Sequence, residues 1–216
     1  MKSNELRPTV WRTARALLNE GRLRLMRAIW FSKGRKTVSE LAKEVGLSVS
    51  TTSTYLRALN ARGLISVNRI GPYVRYSNGK DRSLPEAQAI QAALGRMFSR
   101  AALPEDWIRV LMQKLRAYSH PRRIAIMQCI AKKSGMGFVE ISKLTGIPQM
   151  SLFRHMCILR NSGLITENKN EYSLAVSDND VESTLRNIAI PSLSQPLSHF
   201  EKCDSGRVSQ KGGLRK

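Results

Sequence analysis

The stretch "GLSVSTTSTYLRALNARGLI", residues 46–65, decides the fold. Six of the seven residues from Ser48 to Thr54 carry hydroxyls, while Val49, Leu56, Leu59 and Leu64 keep a helical spacing. Ser and Thr compete with the backbone for hydrogen bonds and add nothing to helix stability in a helix interior. These residues are therefore suited to what the helix face meets, not to making the helix.

The same frame returns 100 residues later as "GIPQMSLFRHMCILRNSGLI", residues 146–165. Glu40/Glu140, Lys43/Lys143, Gly46/Gly146, Leu59/Leu159, Gly63/Gly163, Leu64/Leu164 and Ile65/Ile165 are identical. Leu41/Ile141, Leu47/Ile147 and Leu56/Met156 keep their apolar character. Upstream, "RLRLMRAI" at 22–29 matches "RIAIMQCI" at 123–130 with an offset of 101. A unit of about 55 residues is present twice, a pattern to be found before elements are assigned.

Each unit parses alike. A first helix is expected over 22–31 and 121–133, the second opening at Pro121 with Ser119 as the N-cap candidate. A short helix over 38–45 and 139–145 ends at Gly46 and Gly146, which can take the left-handed conformation of a helix terminus. A third helix runs from Ser48 to about Arg62, and from Pro148 to about Ser162. The period then changes to two: "LISVNRIGPYVRYS" reads as a hairpin about Ile70-Gly71-Pro72, and "LITENKNEYSLA" as a shorter one about Asn168-Lys169-Asn170. Helix, helix, turn, helix, hairpin is the order of a winged helix-turn-helix, whose third helix enters the DNA major groove.

"SHPRRIAIMQCIA" followed by "FVEISKLTGIPQMSLFRHMCILRNSGLI" resembles the arsenic-repressor (ArsR) family of bacterial and archaeal regulators. The resemblance covers both repeats, about half of the chain. It implies that Gln149, Ser151, Arg154 and His155 face DNA in the second unit, and Ser50, Thr51, Thr54 and Arg57 in the first. The first unit departs at Val49 and Tyr55, where the family pattern has Gln and His.

The chemistry of these side chains agrees with that role. Ser and Thr are short enough to let a helix lie deep in the groove and bond to phosphates or base edges; Arg154 suits guanine and Gln149 suits adenine. Ser48 is expected to N-cap and Ser53 to be a small buried helix contact. His155 is either a DNA contact or a packed histidine, and Tyr55 is a phosphate or stacking candidate. Arg69, Arg75 and Lys80 decorate the first wing, whereas Lys169 is the basic residue at the tip of the second. The first unit should grip harder.

Charge points to the same partner. Across 216 residues, 36 Lys and Arg stand against 16 Asp and Glu, a formal charge of +20, which implies a polyanion: nucleic acid or an acidic membrane. Residues 1–80 hold 16 of the basic and 4 of the acidic residues, so the N-terminal third carries most of the basic field. No apolar run approaches the roughly 18 residues that span a bilayer, and the N-terminus lacks a secretory h-region and cleavage site. Three dispersed cysteines, Cys129, Cys157 and Cys203, fit a reducing compartment, so a cytoplasmic location is expected.

Metal sensing is the activity the resemblance most readily suggests, but thiolate sites need converging cysteines and imidazole or carboxylate sites need spaced His and Asp/Glu. Neither pattern is present, and no metal or cofactor is expected. His120, His155 and His199 do not form a hydrolytic centre, and there is no P-loop or dinucleotide fingerprint, so the chain is not expected to be an enzyme.

Between the repeats, "SLPEAQAIQAALGRMFSRAALPEDWIRVLMQKLRAYS" splits at Leu103-Pro104 into two amphipathic helices. Ala89, Ile90, Ala93, Leu94, Met97 and Phe98 line one; Trp107, Ile108, Leu111, Met112 and Leu115 line the other. In the resembling family flanking helices make the dimer interface; here they are expected to pack the two units together, with a second chain also possible. A last helix is expected within "VSDNDVESTLRNIAI", starting near Asp178 or Asn179, and a disordered Ser/Pro/Gly/Lys-rich tail from Pro191.

The expected fold is mainly α with small β-hairpin wings: tandem winged helix-turn-helix domains joined by amphipathic helices. The divisions are 1–82, 83–118, 119–176 and 177–216. The expected function is a sequence-specific double-stranded DNA-binding transcriptional regulator, a repressor, with the pair of units forming a pseudo-dimer in one chain. The alternative is a tandem winged-helix replication initiator of a plasmid or virus. A recombinase or nuclease accessory module would need an acidic cluster to hold metal, which the sequence lacks.

Overall fold

A computed structural model of the protein describes residues 9–32, 34–79, 84–100, 102–177 and 179–190. Lys80, Asp178, His199, Cys203 and the tail expected from Pro191 lie outside them. The described chain is mainly helical with two small antiparallel sheets, as expected. No helix among the described residues is long and apolar enough to cross a membrane.

Helix α1 (Val10–Leu17) and α2 (Glu20–Trp30) are separated at Asn19, whose side chain accepts from the Arg22 N–H and caps α2. The chain then forms β1 (Lys36–Thr37), α3 (Val38–Val45), α4 (Val49–Asn60), β2 (Ser66–Ile70) and β3 (Tyr73–Ser77). A capping box starts α3: the Glu40 N–H donates to Thr37 Oγ1, and the Thr37 N–H donates to Glu40 Oε2 at 2.6 Å. That bond from the Thr37 backbone holds the Glu40 carboxyl below the usual carboxylate range. Gly46, at φ 71, ends α3, and two residues later Ser48 accepts from the Thr51 N–H to start α4. Two helices joined by three residues is the compact turn that the opening stretch predicts.

Two long helices follow, α5 (Pro85–Phe98) and α6 (Trp107–Tyr118). Their expected apolar faces are buried or half-buried, and Phe98 meets Trp107 edge to face with centroids 5.5 Å apart. Next come α7 (Pro121–Lys132), β4 (Met136–Gly137), α8 (Phe138–Thr145), α9 (Gln149–Asn161), β5 (Ile165–Asn168), β6 (Glu171–Leu174) and α10 (Asp180–Ala189), the last capped by Asn179. The order β1-β3-β2 in one sheet matches β4-β6-β5 in the other.

α6 touches α1 and α2 as well as α7, α9 and α10, while α5 packs on α2 and α10. The buried apolar residues form one cluster running from Val10 to Ala189. A buried ion cluster fastens the C-terminal helix: Glu182, with a side chain 3% exposed, binds Lys114 and Arg186, each at 2.8 Å. Charges so buried are tolerated because they are paired.

His120, not Ser119, caps α7, its Nδ1 accepting from the Arg122 N–H. Ser119 instead receives the Arg123 guanidinium at 3.0 Å. The buried hydroxyl of α4 is Thr52 at 0% exposure, and Ser53 is half-buried. Thr52 lies four residues before Leu56 and seven before Leu59, on the buried helical face. The first helix starts at Glu20 rather than residue 22, because Asn19 supplies the cap.

Candidate nucleic-acid interface

On α4, Leu56 and Leu59 are fully buried with Thr52, which leaves the opposite side to solvent. Ser50, Thr54, Arg57 and Ala61 form an exposed stripe at helical spacing, with Val49 and Asn60 beside it and Thr51 half-buried. In the free protein these hydroxyls bond locally: Ser48 Oγ donates to Thr51 Oγ1 at 2.9 Å, and Thr54 Oγ1 donates to the Ser50 carbonyl at 3.1 Å. Such bonds exchange readily for a partner of better chemistry, since each contributes only about 1 kcal/mol net.

Tyr55 is not on this stripe. Three residues after buried Thr52, it turns to the start of α2, where Asn19 Nδ2 donates to its hydroxyl at 3.4 Å and the Arg22 guanidinium lies 5.1 Å from the ring centroid. A methyl group on Gly21 would come within 2.7 Å of the ring, so glycine is what lets α2 and α4 approach.

The wing β2–β3 turns through Gly71, at φ 58, and Pro72; a left-handed first position is what glycine supplies in a two-residue hairpin loop. Arg69 pairs with Val74 and is exposed near the tip, beside exposed Tyr73. Arg75 pairs with Asn68 and Thr37, so it emerges on the opposite face from Arg69. It is half-buried, and its Nη1 donates to the Arg35 carbonyl at 3.4 Å. The sequence places both arginines on the wing but does not separate their faces.

In α9, Leu152, Met156 and Leu159 are buried, and Gln149, Met150, Phe153, Arg154, Arg160 and Asn161 are exposed. Ser151 is half-buried. His155, like Tyr55, turns inward: its ring lies 4.8 Å from that of His120, and its Nδ1 is buried without a partner. Burial, followed by the charges of His120, Arg123 and Arg122, lowers its pKa to about 4. Lys169 and Asn170, both at positive φ, make the exposed tip of the second wing. Glu167 in that wing binds Arg160 at 2.8 Å, which removes Arg160 from the pool of unpaired cations.

Among the described residues, Arg57, Arg69, Arg154 and Lys169 have no carboxylate partner. The first unit brings Ser50, Thr54, Arg57 and Arg69 to exposed positions on α4 and its wing; the second brings Gln149, Arg154 and Lys169. Exposed Tyr73, Met150 and Phe153 are not among the residues that the sequence assigns to DNA contact. Their apolar character suggests core, and only the register of each element places them outside.

Residues 19–67 match the model of the bacterial regulatory protein, arsR family. This segment carries an ArsR-like helix-turn-helix. It spans α2 through the start of β2 and contains the whole exposed stripe of α4. The HTH-type transcriptional regulator YgaV of Escherichia coli (strain K12) is 27% identical over 82 residues, covering 36% of this chain and 83% of that protein. No solved structure matches the chain. Together the two matches support a DNA-binding transcriptional regulator.

Proposed function

We propose that the chain is a cytoplasmic, sequence-specific double-stranded DNA-binding repressor that acts by occlusion and uses two recognition helices, α4 and α9, in one chain. The observation that carries this is the exposed stripe Ser50, Thr54 and Arg57 on a helix whose other side is locked into the core. Short hydroxyls and an arginine without a carboxylate partner on a rigid helix suit base edges and phosphates, and the surplus of positive charge supplies sequence-independent attraction.

The second unit, 119–176, is read as a winged helix-turn-helix in its own right because the element order, the sheet order and the left-handed glycine between its two short helices repeat those of 1–82. Helices within 83–118 hold the units together, and α10, within 177–216, packs on α1, α5 and α6. Gln149, Ser151, Arg154 and Lys169 serve the second half-site; Ser50, Thr51, Thr54, Arg57 and Arg69 serve the first. Tyr55, His155 and Arg75 act by positioning.

Selection of bound duplexes from a random pool tests the reading. The expected result is enrichment of a bipartite site with half-sites about one helical turn, roughly 34 Å, apart. A selected site placed across a promoter should silence a reporter. Binding without enrichment would remove the claim of sequence specificity, and protection of a single half-site would remove the second recognition helix.

A further inference from the structure

We infer that Met150 and Phe153 are specificity-determining residues that read thymine C5-methyl groups in the second half-site. The inference rests on α9 being a recognition helix, as proposed above. Met150 is 74% exposed and Phe153 is 60% exposed. They are three residues apart in a helix and therefore share a face. By the 100-residue offset they stand where α4 has Ser50 and Ser53, so two hydroxyls of one unit are replaced by two large apolar groups in the other.

Holding such side chains in water forgoes favourable burial, and an occupant that covers them gains it. Their surroundings indicate its chemistry. Gln149 and Arg154 flank them, both exposed, and α9 contains no Asp or Glu. An unpaired cation and no carboxylate on the same helix favour a polyanion over a protein surface. In the major groove, the apolar group a base pair displays is the thymine methyl. The adenine opposite shows the N6 and N7 pair that the Gln149 amide matches. An apolar pair beside a glutamine thus fits A·T pairs, while Arg154 fits a neighbouring guanine. Val139 and Leu144 on α8 are exposed as well, which makes protein docking the competing occupant to be tested.

The experiment uses the full chain and the duplex selected from a random pool, resynthesised with deoxyuridine replacing thymidine at one position at a time. The change deletes a methyl and leaves every hydrogen-bonding group. Wild-type affinity should fall about fourfold at one or two positions, the worth of one buried methyl. The double variant Met150→Ala/Phe153→Ala should bind thymidine and deoxyuridine duplexes equally at those positions, with unchanged circular dichroism, while Ser50→Ala keeps the wild-type sensitivity there.

Indifference of the wild type to every replacement would overturn the inference, as would unchanged sensitivity in the double variant. A wild-type dimer that the double variant dissolves would assign the patch to protein docking and overturn it too. Sequence-specific binding that survives alongside such a failure leaves the proposed function standing. Failure to enrich any duplex removes both.

Discussion

His155 lies against His120 with ring centroids 4.8 Å apart, and Tyr55 meets Asn19 at the corresponding place in the first half of the chain. Asn19 and His120 are the N-caps of α2 and α7. In each case an inward residue of the helix after the turn touches the cap of the first helix and fixes the crossing of the two. The side chains differ, but the contact is the same.

The histidine version of this contact is sensitive to pH. Burial, with His120, Arg123 and Arg122 nearby, lowers the His155 pKa from about 6.5 to about 4. His120 is lowered as well, by burial and then by Arg123, Arg122 and Arg15. Between these values the unfolded chain binds more protons than the folded one, so the contribution to stability is full above about pH 6.5 and falls as pH drops toward 4. Urea denaturation midpoints should therefore decline from pH 7 to pH 5, and His155→Phe should flatten that decline. A midpoint equally pH-dependent in the variant would contradict the assignment.

Grip and readout should separate in mutants of the exposed arginines. Arg69→Ala should weaken selected and random duplexes together and reduce the salt slope by about one, as a phosphate contact does. Arg154→Ala should cost about 1–3 kcal/mol, chiefly on the selected duplex. Arg75→Ala should act more weakly on both, since Arg75 is half-buried and emerges on the face of the wing opposite Arg69. Titrations on both duplexes over a salt series distinguish the three; equal losses everywhere would undo the division.

Gly95 is where α5 meets α2. A Cβ there would stand 2.0 Å from the Trp30 ring, whose Nε1 donates to Ser99 Oγ at 3.1 Å. Gly95→Ala gains up to about 1 kcal/mol of helix propensity but forces the ring out of a bonded position, an overpacking cost of about 1–3 kcal/mol. The net expectation is a lower denaturation midpoint, with Trp30 fluorescence shifted by its new surroundings. A stabilised variant would show that the ring moves freely.

Much of this was legible in the sequence because the chain is well punctuated. Gly46 and Ser48 bound α3 and α4 to the residue or nearly so, since caps and left-handed glycines are local chemistry. β1 and β4 were missed because two residues carry no alternation to detect. Helix α1 was missed too, although Val10, Ala14 and Leu17 keep a helical spacing; at eight residues it is too short for the period to stand out. Tyr55 and His155 sit near the edge of the inward helical arc, where composition is ambiguous and the neighbouring helix decides, and Thr52 lies at its centre, where a hydroxyl disguises a core position. The opposed faces of Arg69 and Arg75 follow from register, which needs the pairing partner to be known.

A dimeric regulator brings two recognition helices about one turn of DNA apart by joining two subunits about a two-fold axis. Here α6 touches both halves of one chain, and α5 joins α2 to α10. Among the described residues the one large hydrophobic exposed on α5 or α6 is Val110, at 37%. These helices therefore keep little apolar surface for a second copy, and the free protein should scatter light as one chain. Titration of the selected duplex should saturate at one chain per pair of half-sites. Because Ser50 and Ser53 differ from Met150 and Phe153, those half-sites should differ in sequence, giving an imperfect palindrome or none. A stable dimer that engages one recognition helix per chain would refute the internal pairing, and a second chain recruited only on DNA would show as a duplex that binds two equivalents cooperatively.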